Sequence, residues 1–183
     1  MTAISSADLY CVRAGYEWAL IAMDENTGLV AVQSSFGAFN YVWPPQHRSQ
    51  PLDEFVTTLD FGYFMSKTRG LDAKEFDLDE TIKAFRRWII DARRATNIDK
   101  DEAREAWDAL EDIRMEDPRT AEHMGTLIND DRARLHAALG DDWWDGLRTS
   151  YKPECTGFWD IIWPAFTIQV WCRHGLESPM IGL

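Results

Sequence analysis

The chain has 183 residues, a formal net charge of −12 and an apolar content of 45%. That length suits one ordinary domain, and that apolar content excludes wholesale disorder. The acidic balance lacks the basic footprint of a nucleic-acid binder, and an anionic membrane surface would repel it.

The first fifty residues read as strands. Leu9–Val12 is one candidate. Glu17–Met23 is a second and runs into Asp24-Glu25-Asn26-Thr27-Gly28, which is turn chemistry. Leu29–Ser34 is a third and breaks at Gly37. Phe39–Trp43 is a fourth, with Phe39, Tyr41 and Trp43 alternating onto one face. Such an aromatic ladder is either a binding platform or, more commonly, the core side of the sheet. Short connections predict an antiparallel meander, because parallel crossovers need more chain.

From Leu52 the period turns helical. Leu52, Phe55, Val56, Leu59 and Tyr63 recur at three and four. After a loop around 70–75, Asp77 with Glu80 has the form of a capping box. Leu78, Ile82, Phe85, Ile89 and Ala92 then make a core stripe that ends near Asn97. Asp99 with Glu102 repeats the signature before Ala103, Ala106, Trp107, Leu110 and Ile113. Asp117-Pro118 predicts a stop and a new helix with proline at its first position. Leu127, Ile128, Leu135 and Leu139 give partial periodicity up to Gly140. Asp141-Asp142-Trp143-Trp144 reads as a loop or a single turn. Thr156 is the expected cap of a last helix, kinked at Pro164 and ended by Gly175. The expected fold class is therefore α+β. One domain spans 1–183, with an antiparallel sheet of three or four strands in 1–45 and a helical part in 52–175.

No segment points to a membrane. The apolar runs 18–23 and 158–170 fall short of, or are interrupted before, the ~20 residues that span a bilayer. No basic segment followed by an apolar run opens the chain, so no signal peptide is expected. The odd, widely spaced cysteines Cys11, Cys155 and Cys172 argue for a reducing, cytoplasmic setting. Cys172 and His174 have no second ligand pair elsewhere, so they read as a buried thiol and a helix-terminal histidine and not as a metal site. His47, His123, His136 and His174 sit in no nucleophile motif, and no glycine pattern fits a phosphate cradle. No catalytic residue, metal or cofactor is expected.

Charge patterning is more informative. Asp101, Glu105, Asp108 and Asp112 step by 4, 3 and 4 along one helix face, opposite Ala106 and Leu110. Their like-charge i,i+4 pairs cost a few tenths of a kcal/mol, roughly, where opposite charges would stabilise. The stripe is either a solvated face or a surface for a basic partner. A helix of ~28 Å faces roughly 16 phosphate charges on duplex DNA of equal length, so the stripe alone mimics DNA weakly. Asp141, Asp142, Trp143 and Trp144 are the further contact candidates, Trp143 or Trp144 being the expected exposed aromatic among nine tryptophans. Most of Trp88, Trp107, Trp159, Trp163 and Trp171 are expected in the core. Lys83, Arg87 and Arg94 form a basic stripe on the preceding helix. It should pair with acids of the neighbouring helix or with a second subunit.

The run Gln33-Ser34-Ser35-Phe36-Gly37-Ala38-Phe39-Asn40-Tyr41-Val42-Trp43 resembles the strand–turn–strand of small proteins encoded in phages and prophages. Asp79–Lys83, Ile89–Arg94 and Asp99–Trp107 are similar to the helical pair of the same family. The resemblance covers roughly residues 30 to 113 and brings no catalytic residues. It implies a phage accessory protein acting in a bacterial cytoplasm. With the charge pattern, it leads to an expected function: an anti-CRISPR inhibitor of a bacterial defence system, not an enzyme. It would bind a basic, nucleic-acid-binding surface of the effector complex, as a monomer or homodimer without contacting nucleic acid itself. The alternatives are an inhibitor of another host nucleic-acid enzyme, or a metal-dependent carboxylate hydrolase or nuclease.

Overall fold

The computed structural model describes residues 6–175. The chain divides into two compact units. A sheet unit takes the residues up to Ala73 and those from Tyr151 onward, and a helical unit takes Lys74–Ser150. The fold is α+β, and it opens with the expected antiparallel sheet.

In the sheet unit, β1 (Asp8–Ala14), β2 (Glu17–Asp24), β3 (Leu29–Ser34) and β4 (Gly37–Val42) pair in sequence order as a four-stranded meander. Period-two alternation puts Val12, Ala19, Ile21, Val32 and Phe39 on one buried face. The register sets Val12 against Ala19, Ile21 against Val32 and Val32 against Phe39. Phe39 and Trp43 are buried and Tyr41 packs half-buried beside them, so the aromatic ladder is core and not a binding platform.

That buried face is covered from both ends of the unit's chain. α1 (Leu52–Thr57) and α2 (Phe61–Thr68) supply Leu52, Val56, Phe64 and Met65. Sequence periodicity suggested one continuous helix here. Asp60 interrupts it, because its Oδ1 accepts from the backbone N–H of Tyr63 at 2.9 Å and starts a new helix. The far end of the chain supplies a continuous helical stretch: α7 (Pro153–Gly157), a π-helical segment (Phe158–Ile162) and α8 (Trp163–His174). Thr156 does not cap it; the helix begins three residues earlier, and Thr156 Oγ1 donates to the Pro153 carbonyl. Pro164 has no N–H to donate, and its ring crowds the preceding turn. The chain accommodates it by widening: the Trp163 N–H reaches back five residues to the Phe158 carbonyl. Gly175, left-handed at φ 66°, ends the helix as its position suggested.

The interior of this unit is aromatic. Phe158 stacks on Phe39 with centroids 4.3 Å apart, Trp159 stacks on Trp163 at 4.8 Å, and Tyr10 meets Phe166 edge-on at 5.2 Å. Each such pair contributes about 0.5–1.5 kcal/mol beyond the burial itself.

The helical unit opens with β5 (Lys74–Phe76), which pairs with β6 (Thr149–Tyr151). Neither three-residue strand has a sequence signal, because its stability comes from the partner strand and not from its own pattern. α3 (Leu78–Arg94) buries Ile82, Phe85 and Ile89. Asp77 caps it by accepting from the Glu80 N–H at 2.9 Å, but Glu80 turns to Lys83 instead of closing a box. Asp99 and Glu102 close theirs at the start of α4 (Lys100–Met115), which buries Ala106, Ala109, Leu110 and Ile113.

α5 (Ala121–Asp130) starts later than expected. Pro118 precedes the helix, and Thr120 is the cap, accepting from the His123 N–H at 3.1 Å. α6 (Arg132–Leu139) ends at Gly140. With Met124, Ile128, Leu135 and Leu139, these helices form a core of their own. The segment 52–175, uniform in sequence as a helical part, therefore contributes to two cores.

Of the five tryptophans expected in the core, only Trp163 is fully buried. Trp88, Trp107, Trp159 and Trp171 are half-buried, because the indole ring is large enough to cap a core edge while keeping one side in water.

Gly28 closes the β2–β3 turn and meets the end of β4. Its φ is +76°, and a Cβ there would lie 1.8 Å from the Trp43 carbonyl oxygen. Gly15, at φ +63°, has open space around it. In urea denaturation, Gly15→Ala should lose about 1 kcal/mol, the conformational cost alone. Gly28→Ala should lose more than about 2 kcal/mol, because backbone must move as well. Equal losses at the two positions would refute the close approach.

Candidate partner-binding surface

α4 is the element on which the acidic stripe is built. Asp101, Glu105, Asp108 and Asp112 are all exposed on it, one or two turns apart, as the spacing required. The structure divides them into two kinds. Asp108 is met by Arg104 Nε at 3.6 Å, and Asp112 by Arg134 Nη1 at 2.9 Å, an arginine that also holds Asp131 at 2.9 Å. Asp101 and Glu105 take part in no ion pair among the described residues. The open negative charge is therefore concentrated in the N-terminal half of α4. In the C-terminal half Asp112 is tied to α6 by Arg134 and Asp108 is met within α4 by Arg104, each such surface pair contributing about 0–1 kcal/mol.

Asp141 and Asp142 follow α6 and are exposed. Asp141 is held by Arg132 at 2.5 Å and faces His136 Nε2 at 3.2 Å. Trp143 and Trp144 sit in the single 3-10 turn Trp143–Gly146. Trp143 is half-buried and lies over Gly125, where a Cβ would come within 2.9 Å of the ring. Trp144 stands 53% exposed and meets Trp143 edge-on at 6.0 Å, so it is the aromatic presented to solvent.

The adjacent flank of α4 is basic. Successive residues on a helix point ~100° apart, so Lys100 and Arg104 lie about a quarter-turn round the helix from Asp101 and Glu105. Lys100, Ala103, Arg104 and Trp107, with Asp101 at the edge, face Ile89, Ile90, Arg93 and Arg94 of α3 across an open groove of about 710 Å³. Sequence patterning pointed instead to Lys83, Arg87 and Arg94. In the structure these pair largely within α3 itself. Lys83 reaches Glu80 at 2.6 Å, Arg87 reaches Asp91 at 3.1 Å and Arg94 reaches Asp91 at 3.7 Å. Arg86 bridges to Glu111 of α4 and lies over the Trp107 ring.

A second polar constellation, with no sequence signal, lies in the sheet unit. Asp53 of α1 is buried. It accepts from Tyr10 Oη at 2.6 Å, and His174 Nε2 lies 2.8 Å away. His174 Nδ1 faces Glu54 at 3.1 Å, and Arg173 reaches Tyr10 Oη at 2.8 Å and Asp8 at 3.0 Å. These groups border a cleft of about 520 Å³ with Arg48, Glu25 and Gln50. Both imidazole nitrogens face carboxylates, so the ring has no free nitrogen to act as a base. The cluster fastens the end of α8 to α1 and β1. The expectation of a buried Cys172 fails here: Cys172 is exposed, Cys155 is the buried thiol, and His174 is the helix-terminal histidine. Among the described residues, no group of three or more His, Cys, Asp or Glu is arranged to hold a metal ion.

The fold and surface define an α+β protein with an acidic helical face, in which no helix among the described residues is long and apolar enough to cross a membrane. The chain belongs to the family Phage_phiTE_072, described as a phage family, whose family model matches residues 2–169. The match takes in every segment on which the phage resemblance rests, and it continues through the helices after Asp117. No curated protein and no solved structure matches the chain.

The Asp53 cluster makes stability depend on pH at both extremes. Burial pushes the Asp53 carboxyl up, but hydrogen bonds from Tyr10 and His174 outweigh it and hold it below its ordinary value. Its contribution is present above about pH 4, the unfolded value, and is lost as pH falls through the lower folded value. Burial and the Asp53 hydrogen bond push the Tyr10 phenol up to about 12. Its contribution is complete below about pH 10 and is lost as pH rises from there toward the folded value. Tyr10→Phe should flatten the alkaline loss of stability and move acid unfolding to higher pH, both read by circular dichroism. An unchanged profile at both ends would exclude the coupling.

Proposed function

We propose that this phage family member works by stoichiometric binding, as an inhibitor of a host nucleic-acid-binding protein. A CRISPR effector complex is the foremost target. The observation that carries the reading is the exposed pair Asp101 and Glu105 on α4, like charges one turn apart with no ion pair among the described residues. Such a pair costs stability in the free protein, and a basic partner would reverse that cost. The net charge of −12 acts in the same direction by raising the encounter rate with a basic groove. Asp108 and Asp112 extend the stripe but are already met by arginine, so affinity must also draw on direct contact, and Trp144 is the exposed anchor for it. Binding at a groove that holds guide or target strands would exclude DNA by occupancy.

The test is capture of a basic nucleic-acid-binding protein from host lysate on the immobilised chain, followed by competition with duplex DNA. DNA should displace the partner. Reversal of Asp101, Glu105, Asp108 and Asp112 to lysine should weaken capture at least about tenfold, with the main effect on association and steep salt dependence. Trp144→Ala should weaken it through faster dissociation. Capture that survives the charge reversal unchanged, or is indifferent to DNA, overturns the reading.

A further inference from the structure

The groove between α3 and α4 has a chemistry that the proposed function leaves unused. Its floor is apolar, formed by Ile89, Ile90, Ala103 and Trp107, and Ile90 is 37% exposed. Four cations and one acid ring it: Arg93, Arg94, Lys100 and Arg104, with Asp101 at the edge nearest the acidic stripe. Arg93 and Lys100 take part in no ion pair among the described residues, while Arg94 and Arg104 reach their acids only at 3.7 and 3.6 Å. An apolar trough whose rim holds four cations and one acid, on a helical unit with 13 basic and 20 acidic residues, is a local inversion of the surface around it. Ile89 and Ala103 also serve the unit's own core, but Ile90 and Trp107 take no part in it.

We propose that this groove is a self-association site, and that the acidic stripe of α4 from a second copy of the chain occupies it. The complementary surface is already present. Asp101 and Glu105 carry the open negative charge on α4, and Arg93 and Lys100 carry the open positive charge of the groove. Stripe and groove sit on adjacent flanks of one helix and share Asp101 at their boundary. Two copies that exchange them reciprocally make a closed, isologous contact instead of an open chain. The contact pairs charges that each copy leaves unpaired, and it covers Ile90 and the half-buried Trp107. One groove is small beside a standard interface of ~800 Å² per partner, so the association is weak and reversible. Because both elements are surface charges, it weakens as salt shortens the screening length from ~10 Å at 0.1 M to ~3 Å at 1 M. Dimerisation would mask the stripe, so host-partner binding and self-association compete.

Sedimentation and light scattering on the isolated full-length chain test this without any host partner, so failure here is separate from failure of the inhibitor reading. In low salt the mass should rise with concentration toward twice the chain mass of 21.1 kDa and fall back in 1 M salt. A groove variant, Arg93→Glu with Lys100→Glu, should stay at the single-chain mass. So should a stripe variant, Asp101→Lys with Glu105→Lys. An equimolar mixture of the two restores charge complementarity at both contacts and should regain the doubled mass. All four positions are exposed, and matching melting curves verify that each variant is folded. A concentration-independent single-chain mass overturns the proposal, as does association that ignores both reversals. A mixture that remains monomeric overturns it equally.

Discussion

Phe39 lies in the middle of β4, and Phe158 arrives from the other end of the chain to stack on it at 4.3 Å. The meander leaves one apolar face that its own turns cannot cover, so it needs helices, and α1 and α2 supply only part of the cover. The rest comes from the segment Cys155–Val170, whose Phe158, Ile162, Trp163, Phe166 and Val170 are all buried. Bringing two distant segments together costs loop-closure entropy, but that cost grows slowly with the length of the intervening chain. Several buried aromatics, each removing ~150–250 Å² from water, outweigh it. Pro164 would stop an ordinary helix in this stretch. The wider π-helical turn lets the helix continue and keeps both Phe158 and Phe166 on the sheet.

The closure makes the helical unit an insertion. The chain leaves the sheet unit after Ala73 and re-enters it at Tyr151. The two crossings are fastened together within the sheet unit: the Lys152 N–H donates to the Ala73 carbonyl at 3.0 Å, and the Lys152 ammonium meets Asp72 at 2.6 Å. With its ends fixed close together, the insertion can hold a core of its own, as tolerated insertions generally do. This separation of tasks explains where the charge lies. The sheet unit spends its surface on polar fastening, as at Asp53, Tyr10 and His174. The helical unit carries most of the ionised side chains of the protein, and α4 sorts them into an acidic flank and a basic one.

That sorting changes how the net charge of −12 should be understood. Averaged over the surface, it predicts solubility and attraction to basic partners. Locally, arginine neutralises half of the α4 stripe, and cations line a groove one flank away. A surface of this kind is bipolar, not a uniform imitation of a phosphate backbone. It suits recognition by complementary charge and an aromatic anchor better than simple mimicry of DNA.

The sequence by itself determined what depends on neighbours along the chain. Strand alternation at 9–12, 17–23 and 29–34, the capping box at Asp99 and Glu102, the stop at Gly175 and the acidic spacing of Asp101 to Asp112 are all local, and all are found where the pattern placed them. Tertiary structure decided what depends on residues far apart. The strands β5 and β6 exist because they meet each other, and Asp60 or Thr120 wins as a cap only where the chain turns. Whether Asp112 is an open charge depends on Arg134 of another helix. The groove and the Asp53 cluster were equally illegible, because each forms only where segments separate in sequence meet. Periodicity records the face on which a side chain lies; only packing determines what it faces.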